Sequence, residues 1–266
     1  MDEPALTVID FLQMKLDGVP ITALTAYDAL FAALLDRAGV DLLLVGDSVG
    51  NVVQGRTSTI PVTLEQMIYH GEMVARAVKR AFVAVDMPFL TFQVNDDEAV
   101  RNAGLIMQKT GCQAVKLEGG VRSSSTIRRI VDAGIPVIGH IGLTPQSVNV
   151  LGGYKVQGRE QPDIVLDDAV AVEQAGACMI VLEAMPRKLA EDITRRLTIP
   201  TIGIGAGPSC NGQILVLHDL LGLFREYAPS FVRKYADLAP EIQSAVESYI
   251  EDVRNRSFPS DEESFE

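Results

Sequence analysis

Short apolar runs alternate along the chain with amphipathic segments of helical period. Most of these runs lack polar residues at alternate positions, which is typical of strands buried on both faces. The predicted strands are Ile21–Leu24, Leu42–Gly46, Phe82–Val85, Ala114–Leu117, Pro136–Gly139, Met179–Leu182, Thr201–Ile204 and Ile214–Leu217. The pattern therefore predicts eight buried strands in one chain.

Capping residues mark the ends of the helices between these strands. Thr63 and Asn95 each stand three residues before a glutamine or glutamate, the spacing of a helix N-terminal cap. Gly39 and Gly134 stand where two helices should end, because glycine accepts the left-handed conformation there. The predicted helices are Thr7–Leu16, Tyr27–Ala38, segments that open at Thr63 and Asn95, Ser125–Val131, Pro186–Leu197, Ser230–Leu238 and Glu241–Val253.

Alternation of strands and helices in this number predicts an α/β fold, a (β/α)8 TIM barrel with an intervening helix after each strand. An open doubly wound sheet is the competitor, but it more often carries a glycine-rich turn after its first strand, and residues 25–28 contain no glycine. The helix Thr7–Leu16 precedes the first strand and is placed to close the bottom of the barrel. We expect 1–266 to form one barrel domain, with a helical arm and acidic tail over 240–266.

Composition and charge indicate a globular protein and limit the kinds of molecule that it can bind. The chain of 266 residues is 47% hydrophobic and 22% charged, which excludes a disordered chain, and no apolar run reaches the roughly 18 residues of a membrane span. The net charge is −12, and half of it lies after Pro240, where eight acids face two arginines. An acidic surface argues against nucleic acid and against anionic membranes as partners.

The cysteines indicate a reducing compartment. Cys112, Cys178 and Cys210 are odd in number and have no Cys-x-x-Cys spacing, so they predict neither a disulfide framework nor a zinc site. The residues Met1–Pro4 lack the basic and apolar start of a secretory signal. We therefore expect a cytoplasmic protein.

Polar side chains follow the carboxyl ends of five successive predicted strands. In strand order they are Asp47 with Ser48, Asp86, Lys116 with Glu118, His140, and Glu183. In a barrel these ends meet at one mouth, where barrel enzymes place their active sites. One such aspartate is commonly a helix cap, but caps do not explain five adjacent strands.

Four carboxylates in one cleft would repel each other strongly without a cation. Oxygen ligands with no clustered cysteine or histidine select a hard ion, and Mg²⁺ is the expected one. The spacing thus predicts a metal-assisted site but not its substrate. Tyr27, at the mouth of the first strand, either contacts the substrate or packs at the rim.

Two loops and two further histidines leave alternatives open. The glycine-rich segment 202–207 suits either a phosphate site or close backbone packing, and packing is the simpler interpretation. The long segment 143–159 after strand five is typical of a lid or binding loop. We interpret His70 and His218 as structural residues.

Several blocks of sequence closely resemble the ketopantoate hydroxymethyltransferase family. They are LTAYD (24–28), LVGDSVG (44–50), VKLEGG (115–120), GHIGLTPQS (139–147), GGYKVQGR (152–159), TIGIGAG (201–207) and GQILVLHD (212–219). The resemblance extends over about residues 7–238. It is looser over the last thirty or so residues, which lack a histidine that some members carry there.

The resemblance implies a barrel of the phosphoenolpyruvate/pyruvate superfamily that uses Mg²⁺ and takes its one-carbon unit from 5,10-methylenetetrahydrofolate. It implies transfer of a hydroxymethyl group to 3-methyl-2-oxobutanoate through a Mg²⁺-stabilised enolate. The products would be 2-dehydropantoate and tetrahydrofolate, in pantothenate biosynthesis. It also implies a homo-oligomer, a decamer in this family.

Residue roles carry over by the same resemblance. Glu183 is the implied proton acceptor, and we interpret His140 as an auxiliary residue that orients a carboxylate or assists proton transfer. The implied metal set is Asp47, Asp86 and Glu118. The implied oxo acid-binding set is Asp47, Ser48, Asp86 and Lys116.

Two other functions stay open on the residues alone. A superfamily relative that cleaves or rearranges C–C or C–P bonds would need arginines or a reactive cysteine in the mouth loops. A non-catalytic barrel that serves as a scaffold would not need Asp47, Asp86, Lys116 and Glu183 in one place. The apolar stripe of Glu241–Val253 is a plausible arm for gripping a neighbouring subunit.

Overall fold

Eight parallel strands close into a barrel in the computed structural model, which describes residues 4–223 and 229–265. Each strand pairs with the next along the chain, and β8 pairs with β1. The strands are β1 (Ile21–Thr25), β2 (Leu42–Val45), β3 (Phe82–Asp86), β4 (Ala114–Glu118), β5 (Val137–Gly142), β6 (Met179–Glu183), β7 (Thr201–Ile204) and β8 (Gly212–Leu215). This topology confirms the predicted barrel.

Helices accompany most of the strands. They are α1 (Val8–Asp17), α2 (Ala29–Arg37), α3 (Val49–Val52), α4 (Leu64–Ala77), α5 (Asp96–Thr110), α6 (Ser124–Asp132), α7 (Val148–Leu151), α8 (Pro162–Gln174), α9 (Arg187–Arg196), α10 (Leu217–Leu220) and α11 (Leu238–Asn255). Short 3₁₀ turns occupy Val121–Ser123, Pro145–Ser147 and Asp261–Glu263.

The predicted helix caps are present. The Thr63 side chain accepts a hydrogen bond from the Gln66 N–H, and the Asn95 side chain accepts one from the Glu98 N–H. These contacts satisfy amide groups that a helix cannot bond internally. Gly39 follows α2 with a φ of 88°, the left-handed conformation expected after a helix.

The β7–β8 connection departs from the expected pattern. Residues 205–211 join these strands without a helix, so the expectation of a helix after each strand is wrong here. The connection is too short to form a helix and still return to the start of the next strand. Asn211 closes it, because its side-chain oxygen accepts a hydrogen bond of 3.0 Å from the Thr201 N–H.

The barrel interior is apolar at the bottom, and α1 closes it there, as the sequence predicts. Phe11 on α1 is fully buried, and its ring packs edge-on against Phe82 at a centroid distance of 5.3 Å. Inward-facing residues of the strands complete this cluster, namely Ile21, Ala23, Leu42, Leu44, Phe82, Ala84, Ala114, Ile138, Met179, Val181, Ile202 and Ile214. A larger apolar cluster lies between the strands and the surrounding helices.

Replacing Phe11 with alanine should lower the free energy of unfolding by about 3–5 kcal/mol, because it leaves a cavity under the barrel. Urea denaturation of the metal-free protein measures this loss. Leu16→Ala is the matched control, since Leu16 lies on the same helix and is 71% exposed. If both variants lose the same small amount, α1 does not complete the core.

The described cysteines are free, as expected. Burial raises the pKa of Cys112 to about 11 and that of Cys178 to about 12, so both stay protonated thiols at neutral pH. The Cys178 thiol donates to the Val137 carbonyl oxygen at 3.2 Å. Both residues therefore act as small packing side chains rather than as reactive thiolates.

A second compact unit begins at Leu217. The prediction of a helix over Ser230–Leu238 is wrong, because main-chain bonds to α10 hold this segment in turns. The Tyr235 N–H donates to the Leu220 carbonyl at 2.8 Å, and the Leu238 N–H donates to the Leu221 carbonyl at 3.0 Å. The final predicted helix is confirmed as α11. Within residues 4–223 and 229–265, no helix has the length and apolar character needed to span a membrane.

Candidate active site at the mouth of the barrel

Strand register brings the polar residues to the upper end of the barrel interior. Side chains alternate along each strand, so Asp86 points inward two positions above Ala84. Asp86 pairs with Lys116 on β4, and Glu118 pairs with His140 on β5. The structure therefore gathers at one end the acids, lysine and histidine that the sequence singled out.

Asp47 and Asp86 meet through a close backbone approach. The Asp47 N–H donates to Asp86 Oδ2 at 3.0 Å. A Cβ atom on Gly46 would lie 2.8 Å from the Ser48 hydroxyl and 3.5 Å from Asp86 Oδ2. Glycine at this position thus leaves room for the turn that places the two aspartates side by side.

Lys116 and Asp86 form a buried ion pair. The Lys116 ammonium nitrogen lies 2.9 Å from Asp86 Oδ1, and both side chains are nearly inaccessible. Burial alone would lower the pKa of Lys116, but the charges of Asp86 and Glu118 outweigh it and raise that pKa, so the lysine stays charged. Burial raises the pKa of Asp86 to about 6, although Lys116 opposes the shift.

His140 links Lys116 to Glu183. Its Nδ1 atom lies 3.2 Å from the Lys116 ammonium, which can only donate, so Nδ1 is an acceptor. Its Nε2 atom lies 3.0 Å from Glu183 Oε2. Burial and then the charge of Lys116 lower the pKa of His140, which keeps the ring neutral. The neutral ring therefore carries its proton on Nε2, the nitrogen that lies beside the carboxylate of Glu183.

Glu183 is more accessible than the acids deeper in the barrel. Its side chain is 16% exposed, whereas that of Glu118 is 3% exposed. The next residue, Ala184, has a φ of 46°, a strained value for alanine. The Ala184 N–H donates to Ile204, and its carbonyl accepts from the Gln157 N–H. These bonds hold the turn that leaves Glu183 at the opening.

The mouth carries excess negative charge. Burial raises the pKa of Glu118 well above its usual range, and the charge of Asp47 adds to the shift. The carboxylates of Asp47, Asp86, Glu118 and Glu183 lie near one another and near the ammonium of Lys116. A bound cation would relieve the repulsion among these carboxylates.

Cation binding here would need ligands besides the carboxylates. In the described ranges 4–223 and 229–265, no three His, Cys, Asp or Glu side chains are arranged to hold an ion among themselves. Mg²⁺ typically keeps several waters and takes one or two protein carboxylates together with substrate oxygens. The buried acid pair Asp47 and Asp86 fits that requirement, and direct ligation by Glu118 stays a prediction.

Tyr27 reaches the site through Ser48. Their hydroxyl oxygens lie 2.8 Å apart, and Tyr27 is buried. Burial and the charges of Asp86 and Asp47 raise the pKa of Tyr27, so the phenol stays neutral. The Nδ1 atom of His70 lies 2.7 Å from the Tyr27 carbonyl oxygen, which supports the structural role predicted for His70.

Two glutamines near the acids were not predicted as site residues. Gln146 lies in the turn after β5, within the long loop predicted to bind or cover the substrate, and it contacts Asp47 and Glu118. Gln93 in the loop after β3 contacts Gln146. The sequence signals for Gln146 were its place in the block GHIGLTPQS (139–147) and in the long segment after strand five.

The long loop 143–159 is partly exposed, whereas the glycine-rich segment 202–207 packs closely. Tyr154 on the long loop is 55% exposed, and its pKa is raised by partial burial and by the charges of Asp47 and Glu183. In the glycine-rich segment, a Cβ atom on Gly207 would lie 2.7 Å from the Arg187 Cβ atom. That close approach supports the packing interpretation of this segment.

The raised pKa of Asp86 makes metal-free stability depend on pH. Between about pH 4 and pH 6 the unfolded chain releases the Asp86 proton and the folded protein retains it. The free energy of unfolding should therefore fall on the order of 2 kcal/mol more in the wild type than in Asp86→Asn as pH rises through this window. Urea titrations with EDTA at several pH values measure it. Parallel pH profiles would contradict the shift.

A closed parallel barrel whose upper mouth gathers acids, a lysine and a histidine defines a (β/α)8-barrel enzyme. A sequence profile of the ketopantoate hydroxymethyltransferase family matches residues 5–261. A 3-methyl-2-oxobutanoate hydroxymethyltransferase from Pelobacter propionicus is 54% identical over 261 residues, 98% of this chain and 97% of that protein. One from Chlorobaculum tepidum is 52% identical over 268 residues, 98% of this chain and 97% of that protein. The chain belongs to the ketopantoate hydroxymethyltransferase family.

Solved structures share the fold at low sequence identity. A phosphoenolpyruvate phosphomutase from Streptomyces platensis subsp. rosaceus has a TM-score of 0.64 at 16% identity, covering 94% of this chain and 88% of that one. A phosphonopyruvate hydrolase in complex with oxalate and Mg²⁺ has a TM-score of 0.62 at 14% identity, covering 97% and 93%. These similarities confirm the fold class. Sequence identity above 50% lies with the transferases and favours them over a mutase or lyase.

Proposed function

We propose that this protein transfers a hydroxymethyl group from 5,10-methylenetetrahydrofolate to 3-methyl-2-oxobutanoate. The reaction consumes water and gives 2-dehydropantoate and tetrahydrofolate, a step of pantothenate biosynthesis. The observation that carries the proposal is the placement of Glu183 at the opening of a mouth that holds Lys116 and a buried acid pair. The names of relatives above 50% identity support the choice of substrates.

Asp47 and Asp86 are the residues that would hold Mg²⁺. A bound Mg²⁺ ion would supply Lewis acidity to the carboxylate and ketone oxygens of a 2-oxo acid. Lys116 keeps its proton and places a second positive charge in the same pocket. It would bind the substrate carboxylate or the oxygen that gains negative charge. Ser48, whose hydroxyl is held by Tyr27, would donate a hydrogen bond to the oxo acid.

Glu183 would take the proton from C3 of 3-methyl-2-oxobutanoate. The electron pair of the broken C–H bond would then form the new bond to the methylene carbon of the folate while one C–N bond of that carbon breaks. Water would then replace the second C–N bond, which gives the hydroxymethyl group and releases tetrahydrofolate. The Nε2 atom of His140 lies 3.0 Å from Glu183 Oε2, so the other oxygen, Oε1, would take the proton.

The overall reaction tests the proposal. Purified protein is incubated with 3-methyl-2-oxobutanoate and 5,10-methylenetetrahydrofolate, and the products are followed by mass spectrometry. We expect 2-dehydropantoate and tetrahydrofolate in equal amounts with Mg²⁺, and neither with EDTA. Formation of no 2-dehydropantoate by folded, Mg²⁺-supplied protein would refute the assignment.

The proposed partners are small molecules and further copies of this chain, in a cytoplasmic homodecamer. The net charge of −12 disfavours nucleic acid and anionic membranes, and the free thiols suit a reducing compartment. Helix α11 carries an exposed apolar stripe that includes Ile242, Val246 and Tyr249. Such a stripe is typical of a helix that packs against another surface.

Truncation after Pro240 should therefore reduce the molar mass measured by light scattering. The truncated chain lacks nearly all of α11, so an assembly held by this helix should dissociate into smaller species. Substituting exposed acids of the tail, such as Glu262→Gln with Glu263→Gln, is the control and should leave the mass unchanged. An unchanged mass after truncation would mean that α11 does not hold subunits together.

A further inference from the structure

Gln146 makes hydrogen bonds to two acids of the mouth from one buried position. Its side-chain Nε2 donates to Asp47 Oδ2 at 2.9 Å, and its main-chain N–H donates to Glu118 Oε2 at 3.0 Å. The residue is only 6% exposed. Asp47 follows β2 and Glu118 ends β4, so one residue in the loop after β5 connects two separate strand ends.

The orientation of the Gln146 amide is determined by its partners. Nε2 also lies 3.0 Å from the Met87 carbonyl oxygen, which can only accept a hydrogen bond. On the other side, the Gln93 side-chain amide donates to Gln146 Oε1 at 3.1 Å. A reversed amide would place oxygen against a carboxylate and a carbonyl. Gln93 therefore helps to keep the N–H groups of Gln146 directed at Asp47.

The Gln146 side chain is an uncharged hydrogen-bond donor beside the carboxylates of the mouth. A lysine or arginine in place of Gln146 would neutralise the acids and compete with a cation. An amide fixes the carboxylates without adding net charge, so the negative potential that attracts a divalent ion is retained. Each carboxylate also keeps one oxygen outside these bonds, namely Asp47 Oδ1 and Glu118 Oε1.

We infer that Gln146 is a positioning residue that holds Asp47 and Glu118 in the orientation that receives Mg²⁺, and that Gln93 sets the orientation of its amide. This inference rests on the proposed metal-dependent function. Gln146 does not touch the reacting atoms; it acts through the carboxylates, as hydrogen-bond partners of metal ligands commonly do. Loss of such a partner typically weakens metal binding by about 10–100-fold.

Calorimetric titration of the full chain with Mg²⁺ alone tests this inference. Gln146→Met removes the side-chain N–H groups and keeps the unbranched shape and the main-chain bond to Glu118. Gln13→Met is the matched control, because the Gln13 amide also donates to an aspartate, Asp17 on α1, at 2.9 Å. We expect the Kd to rise about 10–100-fold in Gln146→Met, less in Gln93→Met, and not at all in Gln13→Met.

Thermal unfolding of each variant in EDTA separates positioning from structural support. If Gln146 had only a structural role, Gln146→Met would lower the metal-free Tm and leave the Kd for Mg²⁺ unchanged. That result in folded Gln146→Met would overturn this inference but not the proposed function. Should Gln146→Met not fold, Gln93→Met decides: a raised Kd supports the inference and an unchanged one overturns it. Wild-type protein that binds no Mg²⁺ would contradict the proposed metal site as well.

Discussion

Replacing Glu183 with glutamine should slow proton exchange at C3 of 3-methyl-2-oxobutanoate by ~10²–10⁴-fold, the usual effect of removing a positioned general base. Glutamine has the same shape and would keep an oxygen beside the Nε2 atom of His140, so the ring and Lys116 should keep their places. Mg²⁺ and the oxo acid should bind nearly as in the wild type, since Glu183 lies outside the Asp47–Asp86 pair.

Exchange is followed by NMR in deuterated water without folate, which separates proton removal from one-carbon transfer. Glu191→Gln is the control, because Glu191 forms only surface ion pairs on α9 and the chemical change is the same. Exchange by Glu183→Gln at the wild-type rate would exclude Glu183 as the base. His140 would then be the first residue to test.

Asp47→Asn should abolish Mg²⁺-dependent turnover, with a loss on the order of 10³-fold, because a metal ion contributes several kcal/mol to the charge stabilisation of such a reaction. The new side chain can still accept the Gln146 Nε2–H through its oxygen. Its amide nitrogen would then take the place of the other carboxylate oxygen and repel a cation. The fold should remain, since the variant keeps the shape of the native residue.

Initial-rate assays across a range of Mg²⁺ concentrations measure this effect, and circular dichroism checks the fold. Asp97→Asn is the control, because Asp97 on α5 is largely exposed and pairs weakly with Arg129 at 3.5 Å. Wild-type rates in Asp47→Asn at low Mg²⁺ would remove Asp47 from the metal site. Rescue only at high Mg²⁺ would agree with its proposed role as a ligand.

Sequence pattern predicted the barrel well because each strand carries its own signal. The runs Leu42–Val45 and Phe82–Val85 are apolar on both faces, a pattern typical of a strand that is covered on both sides. Residues two apart on a strand lie on the same face, so Ala114, Lys116 and Glu118 all point into the barrel. The place of Lys116 and Glu118 at the mouth therefore follows from the same pattern.

Departures arose where contacts distant in sequence decide the local structure. Ser230–Leu238 has a helical pattern, but main-chain bonds to Leu220 and Leu221 hold it in turns. The short β7–β8 connection is closed by Asn211, whose partner Thr201 begins the preceding strand. Neither contact leaves a periodic trace in the sequence.

The detailed chemistry of the mouth depends on geometry that no spacing encodes. The sequence placed His140 near the acids, but its neutral state and its link between Lys116 and Glu183 depend on two interatomic distances. In the sequence, nothing distinguishes Gln146 from other polar loop residues as a partner of the acids. Its hydrogen bonds to Asp47 and Glu118 identify it only in the structure. Such contacts form only after four strand ends have come together.

The proposed function depends on the removal of a proton from C3 of a 2-oxo acid bound in this mouth. Deuterium exchange into 3-methyl-2-oxobutanoate by the wild-type protein, followed by NMR with no folate present, tests it most directly. We expect exchange well above the buffer rate with Mg²⁺, and loss of that exchange with EDTA. Exchange no faster than in buffer, by folded protein supplied with Mg²⁺, would contradict it.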